Sequence, residues 1–582
     1  MELIQEIKAT LIDAIKKAGI KVNDVSVTFS DRADFQCNDI FALAKQNNIS
    51  PIELAQNIVS SIISPNFTFS VAAPAFININ VSNERLNKEL NTYASNAFLG
   101  IKRAEKPLTV VMDYGGANVA KELHVGHLRS PIIGEALARL YKLLGHKVIS
   151  DSHLGDWGLQ MGLTVAQMHE DGYIDGFFDK TKKNKEITLD TLNEEYPKAS
   201  ARKKTDIEFK KKAEDYTLYI QTKKEPYYSV YEYIRDISIE KIKKNYADLN
   251  CYFDLWYGES TAEPFMDKIV NIFVDKKIAR KSDGALIVDV AEEGENIPTD
   301  KKDANGNILY KNPMPPVIIK KFNGADMYAT SDIATIYMRN QDYNPDKILY
   351  IVDFRQETHF KQVFRAAKLA GISGPNQELL HIAYGTINGK DGKAFKTREG
   401  TTIKLDDIIS LLKNKAKEKL EQNGIFGNDE LAREIGVAAL KFGDLSNAVN
   451  KDYVFDIDRF SSFDGKTGPY IQYTAARINS LLEKANMKPG VIDITTQEER
   501  NIAMNILKLN ESYYKAYKEN SLQGVCSALY NLTSSFSLMY NNIRINTAES
   551  DKKQKYLAII QLVHRCIAQC LYVLAIDMPE KM

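Results

Sequence analysis

The chain reads as an α/β protein, preceded by an α+β segment and followed by an all-α one. Three observations lead there. From about residue 105 to 410, apolar β-branched runs alternate with amphipathic helical patterns, which implies a parallel sheet. Before that, strand and helix patterns mix, and after it helical spacing continues with few glycines or prolines. At 582 residues the chain is too long for one core. The expected domains are 1–104, 105–410 and 411–582.

The elements follow in order. Leu3, Ile4, Ile7, Leu11, Ile12 and Ile15 have helical spacing, and Phe67–Val71 and Phe76–Asn80 read as strands around Pro74. Leu108–Met112 reads as a buried strand. It runs through Asp113-Tyr114-Gly115-Gly116-Ala117-Asn118 to His124-Val125-Gly126-His127. A helix marked by Ile132, Ile133, Ala136, Leu137 and Leu140 follows. Strand, small-residue loop and helix N-terminus form an anion-binding layout, because free N–H groups and the helix dipole favour a phosphate there. Two histidines at that point add donors that need not carry charge. Near 175–250 a charged, mainly helical stretch, including Lys180–Glu186, reads as an insertion with a solvated face. Tyr328 and Asp332 stand i,i+4 at a helix start, and Tyr470 and Tyr473 stand i,i+3 in the last segment.

Composition narrows the function. Hydrophobic residues make up 44% and charged ones 26%, as in ordinary globular proteins. Basic and acidic residues balance at 76 each, so any nucleic-acid surface must come from local segregation of charge. No run of about 18 apolar residues predicts a membrane span, and Met1–Lys8 is amphipathic and acidic, unlike a signal peptide. Cys37, Cys251, Cys526, Cys566 and Cys570 are scattered without a C-x-x-C, which suits a reducing compartment. Cys566 and Cys570, near His564, read as core residues of an apolar helix.

His124-Val125-Gly126-His127 resembles the first signature of class I aminoacyl-tRNA synthetases. Its flanks, Asn118-Val119-Ala120-Lys121 before and Leu128-Arg129-Ser130 after, resemble the arginyl-tRNA synthetase version. So does His153-Leu154-Gly155-Asp156-Trp157-Gly158. Gly392–Gly400 is similar to the family's mobile basic loop, but Thr397 stands where class I enzymes generally have a second lysine. Gly468–Arg477 resembles the first helix of the anticodon-binding domain, and Asp34–Asn38 part of the N-terminal tRNA-binding domain. The resemblance spans nearly the whole chain. It implies a Rossmann-like class I catalytic domain with an N-terminal α+β domain and a C-terminal anticodon-binding bundle.

It also implies residue roles. His124, His127, Lys121 and Lys396 are the catalytic candidates, Lys121 replacing the lysine absent at 397. Gly126, Asp353 and His359 join His124, His127 and Lys396 around ATP. Glu259, Tyr328 and Asp332 match positions that hold the guanidinium of arginine; Asn118 and Gln356 match those at its α-amino and carboxylate end. His124 borders the amino acid too, and Asp113 is placed to help with either end. Tyr470 and Tyr473 are the candidates for stacking on tRNA bases. The implied activity is arginine–tRNA ligation. ATP with Mg2+ and L-arginine are the small substrates, and tRNA(Arg) is the partner. No tightly bound cofactor, protein-held metal or membrane is expected, and the enzyme is expected to be a cytoplasmic monomer. The resemblance further implies that activation needs bound tRNA.

Rival readings fit less well. The absence of a cysteine-rich zinc set argues against a cysteine ligase, and the absence of a long editing insertion against ligases for large apolar amino acids. Chain length disfavours a small nucleotidyltransferase. Intact His124, Gly126, His127 and Lys396 argue against a non-catalytic RNA-binding relative.

Overall fold

The structure, a computed structural model, describes residues 2–303, 306, 308–320, 328–389, 392 and 403–582. The chain forms two compact units: residues 1–104 with 416–446 and 460–582, and residues 105–415 with 447–459.

The first unit begins with α1 (Glu2–Lys17), whose i, i+3, i+4 spacing buries Leu3, Ile4, Ile7, Leu11 and Ile15. Next come β1 (Val27–Phe29), β2 (Phe35–Cys37), α2 (Ile40–Gln46), α3 (Pro51–Ser60), β3 (Phe67–Ala72) and β4 (Phe76–Val81). The strands make an antiparallel sheet in the order β1-β2-β4-β3. α4 (Asn83–Ser95) starts on Ser82, whose hydroxyl accepts from the Arg85 N–H.

The second unit opens with β5 (Thr109–Asp113), α5 (Arg129–Leu143) and β6 (Lys147–Asp151). A helical stretch follows: α6 (Leu159–Glu170), α7 (Asp175–Phe178), α8 (Leu189–Arg202), α9 (Ile207–Gln221), α10 (Tyr227–Asp248) and α11 (Glu259–Asp275). Five short strands, β7 (Ala279–Ser282), β8 (Ala285–Val288), β9 (Ile297–Lys302), β10 (Ile308–Lys311) and β11 (Val317–Lys320), precede α12 (Tyr328–Tyr343). Then come β12 (Lys347–Asp353), α13 (Glu357–Leu369), β13 (Glu378–Tyr384) and β14 (Ile387–Asn388). The central sheet is parallel, in the order β13-β12-β5-β6. Val110, Val111 and Met112 are fully buried, as expected for a strand covered on both faces. Ile269, Phe273, Ile333, Ile336 and Val363, from α11, α12 and α13, share one core with Val111 and Ile348 of the sheet. This arrangement puts the carboxyl ends of β5, β6 and β12 at one edge, where open α/β sheets bind ligands.

The helical remainder comprises α14 (Leu405–Gln422), α15 (Asp429–Leu445), α16 (Ile457–Phe460), α17 (Gly468–Ala485), α18 (Gln497–Glu519), α19 (Gln523–Asn542) and α20 (Ser550–Val573). Thr467 caps α17, and a Thr496–Glu499 capping box starts α18. Gly468 lets α17 lie against α15, since a Cβ there would stand 2.2 Å from the Ala438 carbonyl oxygen. α20 is long and apolar enough to cross a membrane, but 67% of its apolar window is buried within the protein.

Three features depart from the sequence reading. The expected boundary at 410/411 falls inside α14, which has no Gly or Pro to punctuate it, and the two units divide within that helix. The segment after 411 is not helical throughout: β15 (Tyr453–Val454) pairs with β14 in the second unit. The catalytic segment also holds antiparallel pairings, β11-β8-β7 and β9–β10, beside its parallel sheet. A local signal for β7–β8 was available in Asp283-Gly284. Both residues have positive φ, 47° and 77°, as a tight hairpin turn requires.

Candidate active site

β5 delivers Asp113 to the sheet edge, and the loop beyond it is held from several sides. Gly115 has φ +69°; its N–H donates to Ser130 Oγ at 2.8 Å, and its carbonyl accepts from Tyr246 Oη at 2.5 Å. Val119 N–H bonds the Gly155 carbonyl and Gly155 N–H the Ala117 carbonyl. A Cβ at Gly155 would stand 2.5 Å from Asn118 Oδ1, so the Asn118 amide rests on bare backbone.

His124 and His127 face each other with ring centroids 4.0 Å apart. His124 Nδ1 accepts from the Gly126 N–H at 3.0 Å, and His127 Nδ1 accepts from the His124 N–H at 3.2 Å. A backbone N–H can only donate, so each neutral ring carries its proton on Nε2. Burial, with Lys121 and His124 adding repulsion, pushes His127 down to about 3. Burial and Lys121 also lower His124. Both rings are therefore neutral donors at pH 7. Lys121 lies with Nζ 4.6 Å from the ring centre of Tyr196, on α8. Its neighbour Ala120 has φ +63°, a strained conformation for a residue with a side chain.

Lys396, Thr397 and the rest of 393–400 lie outside the described residues. The chain re-enters the description at Ile403, against the histidine loop. Val125 N–H bonds the Ile403 carbonyl at 3.0 Å, Leu405 N–H the Leu123 carbonyl at 3.0 Å, and Lys404 pairs with Glu122 at 2.8 Å.

The region around the starts of α11 and α12 is rich in carboxylates. Glu259 begins α11, and its N–H bonds the Leu154 carbonyl. Its start is fixed by Asp156, which accepts from Ser260 N–H and Oγ, Tyr231 Oη and Arg235 Nε. A Cβ at Gly258 would lie 2.6 Å from Asp156 Oδ1. Burial pushes the Glu259 carboxyl up to about 7, with Asp156 and Asp332 adding to the rise and His153 opposing it. On α12, Tyr328 is exposed, and its hydroxyl would stand 3.5 Å from a Cβ at Gly158. Asp332 Oδ2 is 2.6 Å from His359 Nε2. His359, expected at the ATP ribose, is thus engaged with the guanidinium candidate, because the first turn of α13 faces α12. Asp353 is clamped by Arg355 Nε and Nη2, both at 2.7 Å. Burial works against its ionisation, but Arg355 outweighs this and holds the carboxyl below its usual range. Gln356 is exposed in the turn after β12. Asp113 and Asp151 both accept from Arg339 Nη2, at 2.7 and 2.5 Å.

Asp113, Asn118, His124, Lys121, Glu259, Tyr328, Asp332, Asp353 and His359 therefore all belong to the second unit. Sequence reading missed Asp151, Asp156, Tyr196 and Arg339. Asp113, Asp151 and His153 could geometrically hold a cation, but Arg339 already supplies one there. In the first unit, Tyr470 is half-buried, with its hydroxyl 3.1 Å from Ser537 Oγ, while Tyr473 is 43% exposed.

Comparison with known proteins identifies the family. The family model described as tRNA synthetases class I (R), catalytic domain, matches residues 90–457; the DALR anticodon binding domain matches 471–582, and the arginyl tRNA synthetase N terminal domain 1–81. The arginine–tRNA ligase of Alkaliphilus oremlandii is 39% identical, and that of Agathobacter rectalis 38%, each over 100% of both chains. Among solved structures, the fold is similar to the arginyl-tRNA synthetase of Plasmodium falciparum, with TM-score 0.81, 22% identity and 99% of each chain covered. It is also similar to that of Thermus thermophilus, with TM-score 0.80, 22% identity and 99% and 100% covered. On its sequence relatives and its catalytic-domain match, the chain belongs to the arginyl-tRNA synthetase family of class I tRNA synthetases.

Proposed function

We propose that the site described above carries arginine–tRNA ligation with a fixed polarity, anion-accepting at the histidine loop and cation-accepting at α11 and α12. The overall reaction is the family's: L-arginine and ATP give arginyl-adenylate and pyrophosphate, and the arginyl group then passes to the 3′-terminal adenosine of tRNA. The observation that carries the site assignment is the pairing of two neutral histidines, whose Nε2 protons have no partner among the described residues, with the carboxylates of Glu259 and Asp332.

Adenylate formation is an in-line attack by the arginine carboxylate on the α-phosphorus of ATP. The protein breaks no bond with its own side chains; it aligns the reactants and stabilises developing charge. ATP enters as its magnesium complex. His124 and His127 donate from Nε2 to phosphate oxygens without needing protonation, and Gly126 leaves the backbone bare for the adenine. Lys121 leaves Tyr196 to meet the negative charge gathering on the phosphates, with Lys396 acting from the basic loop. Glu259 and Asp332 take the guanidinium, as Tyr328 closes over it, and His359 yields Asp332 when the substrate arrives. Asn118 and Gln356 hold the α-amino and carboxylate end, and Asp353 serves the ribose. Tyr473 and Tyr470 address the tRNA. The protein acts in the cytoplasm as a monomer.

The test is charging of tRNA(Arg) with labelled arginine by the purified protein. The reading predicts ATP-dependent charging that Asp332→Asn abolishes at low arginine and largely restores at high arginine. Equal charging by wild type and variant at all arginine concentrations would remove Asp332 from the site.

A further inference from the structure

Tyr328, Asp332, Thr335 and Arg339 fall at spacings of four, three and four residues, and so share one face of α12. That face meets the ends of β5 and β6. Thr335 Oγ1 is 3.5 Å from His153 Nε2, and Arg339 Nη2 donates to both Asp113 and Asp151. Arg339 is wholly buried, yet its Nε and Nη1 have no hydrogen-bond partner among the described residues. A guanidinium kept for stability alone best presents its planar fork to one carboxylate. Here a single nitrogen is divided between two carboxylates on neighbouring strands.

The two carboxylates differ. Asp151 has no exposure and also accepts from the Tyr257 N–H at 3.1 Å. Asp113 keeps 8% exposure. His153 adds a second partner, but its Nδ1 lies 3.6 Å from Asp151 Oδ2, so the histidine stands on the Asp151 side of the pair. Burial raises the Asp113 carboxyl in spite of Arg339 and His153. Asp332 and Arg339 are seven residues apart, about 10 Å along the helix axis. An arginine lying along that face, guanidinium at Asp332, brings its α-ammonium toward Asp113.

We propose that Arg339 is a positioning residue: it holds Asp113 at the end of β5 to receive the α-ammonium of the substrate arginine, while sharing itself with Asp151 so that Asp113 stays under-compensated until the substrate binds. This rests on the arginine site proposed above.

The experiment compares L-arginine with 5-guanidinopentanoate, which keeps the guanidinium and carboxylate but lacks the α-ammonium. Arginine-dependent ATP–pyrophosphate exchange, with tRNA present, gives KM for L-arginine and for ATP, and the inhibition constant of the analogue. Arg339→Lys keeps the charge on a shorter side chain, which cannot reach both Asp113 and Asp151 as Nη2 does. The KM for L-arginine should rise at least about tenfold, with the analogue's constant and the ATP KM within about twofold of wild type. Asp151→Asn is the second variant: it leaves Arg339 wholly to Asp113, which is then compensated in advance, and the same selective loss is expected. Parallel weakening of arginine and analogue in a folded variant would overturn the proposal, as would no change in either. Failure of both variants to fold would also overturn it, by assigning Arg339 to the core. A wild-type protein that shows no arginine-dependent exchange would instead overturn the proposed function.

Discussion

The two ends of the catalytic cleft are built on opposite electrostatic plans. At the histidine loop the donors are kept neutral: His127 and His124 are pushed down, their Nδ1 atoms tied to backbone N–H groups, and Lys121 rests on Tyr196. Near α11 and α12, among the described residues, Glu259 is pushed up, Asp332 pairs with His359, and Asp113 shares Arg339 with Asp151. The contrast is what the proposed polarity rests on: an anion at the first end and a cation at the second.

The largest expected effect comes from neutralising the cation-accepting end. Asp332→Asn leaves the guanidinium under-compensated, at a cost on the order of 3 kcal/mol, which is more than a hundredfold in arginine affinity. The ATP KM should hardly move. Steady-state kinetics with each substrate varied separately checks this, and a matching rise in the ATP KM would erase the distinction between the two ends. His359→Ala separates the two roles open to that residue: as partner of Asp332 it should alter arginine KM, and as a ribose ligand it should alter ATP KM.

Next in size is Lys121→Ala. Its ammonium is needed mainly in the transition state, so turnover in exchange should fall about ten- to a hundredfold with modest change in either KM. Thr397→Lys should recover part of the loss. Wild-type turnover in a folded Lys121→Ala protein would make this lysine a surface residue.

The pH dependence should be smaller and confined to one end. Glu259, pushed up to about 7, must ionise to hold a guanidinium, so arginine KM should fall as pH rises from 6 to 8. Binding a cation lowers that carboxyl and releases a proton, which gives the sign. Glu259→Gln should flatten the profile. His127, down near 3, contributes nothing in this window.

The smallest effects lie in the anticodon-binding helix α17. Tyr473→Ala should raise the tRNA KM by a factor corresponding to about 1–3 kcal/mol, leaving arginine and ATP untouched. Tyr470→Ala should lower the melting temperature as well, since its hydroxyl meets Ser537 and its ring lies 5.8 Å from Tyr530.

How far the sequence could be read follows from how local each feature is. The histidine loop is contiguous, and strand, glycines and helix follow within some thirty residues, so its layout was visible. Tyr328 and Asp332 were visible through helical spacing. Arg339 was not, because an arginine in a helix ordinarily reads as solvated, and its burial depends on Asp113 and Asp151 arriving from two other strands. The signal was faint but present: a polar stripe of Asp332, Thr335 and Arg339 on a helix whose buried residues include Ile333, Ala334, Ile336 and Met338. Asp156 was quoted only within a motif. Its work in placing Ser260 and Gly258 depends on a chain reversal of about a hundred residues. The boundary inside α14 has no residue to mark it.

The most direct test of the polarity is to offer L-citrulline, which has nearly the shape of L-arginine but no side-chain charge. A carboxylate end built for a cation should reject it by about a thousandfold or more in arginine-dependent ATP–pyrophosphate exchange, because desolvated carboxylates are left without a partner. Citrulline supporting exchange within about tenfold of arginine would contradict the account, since shape rather than charge would then be doing the selecting.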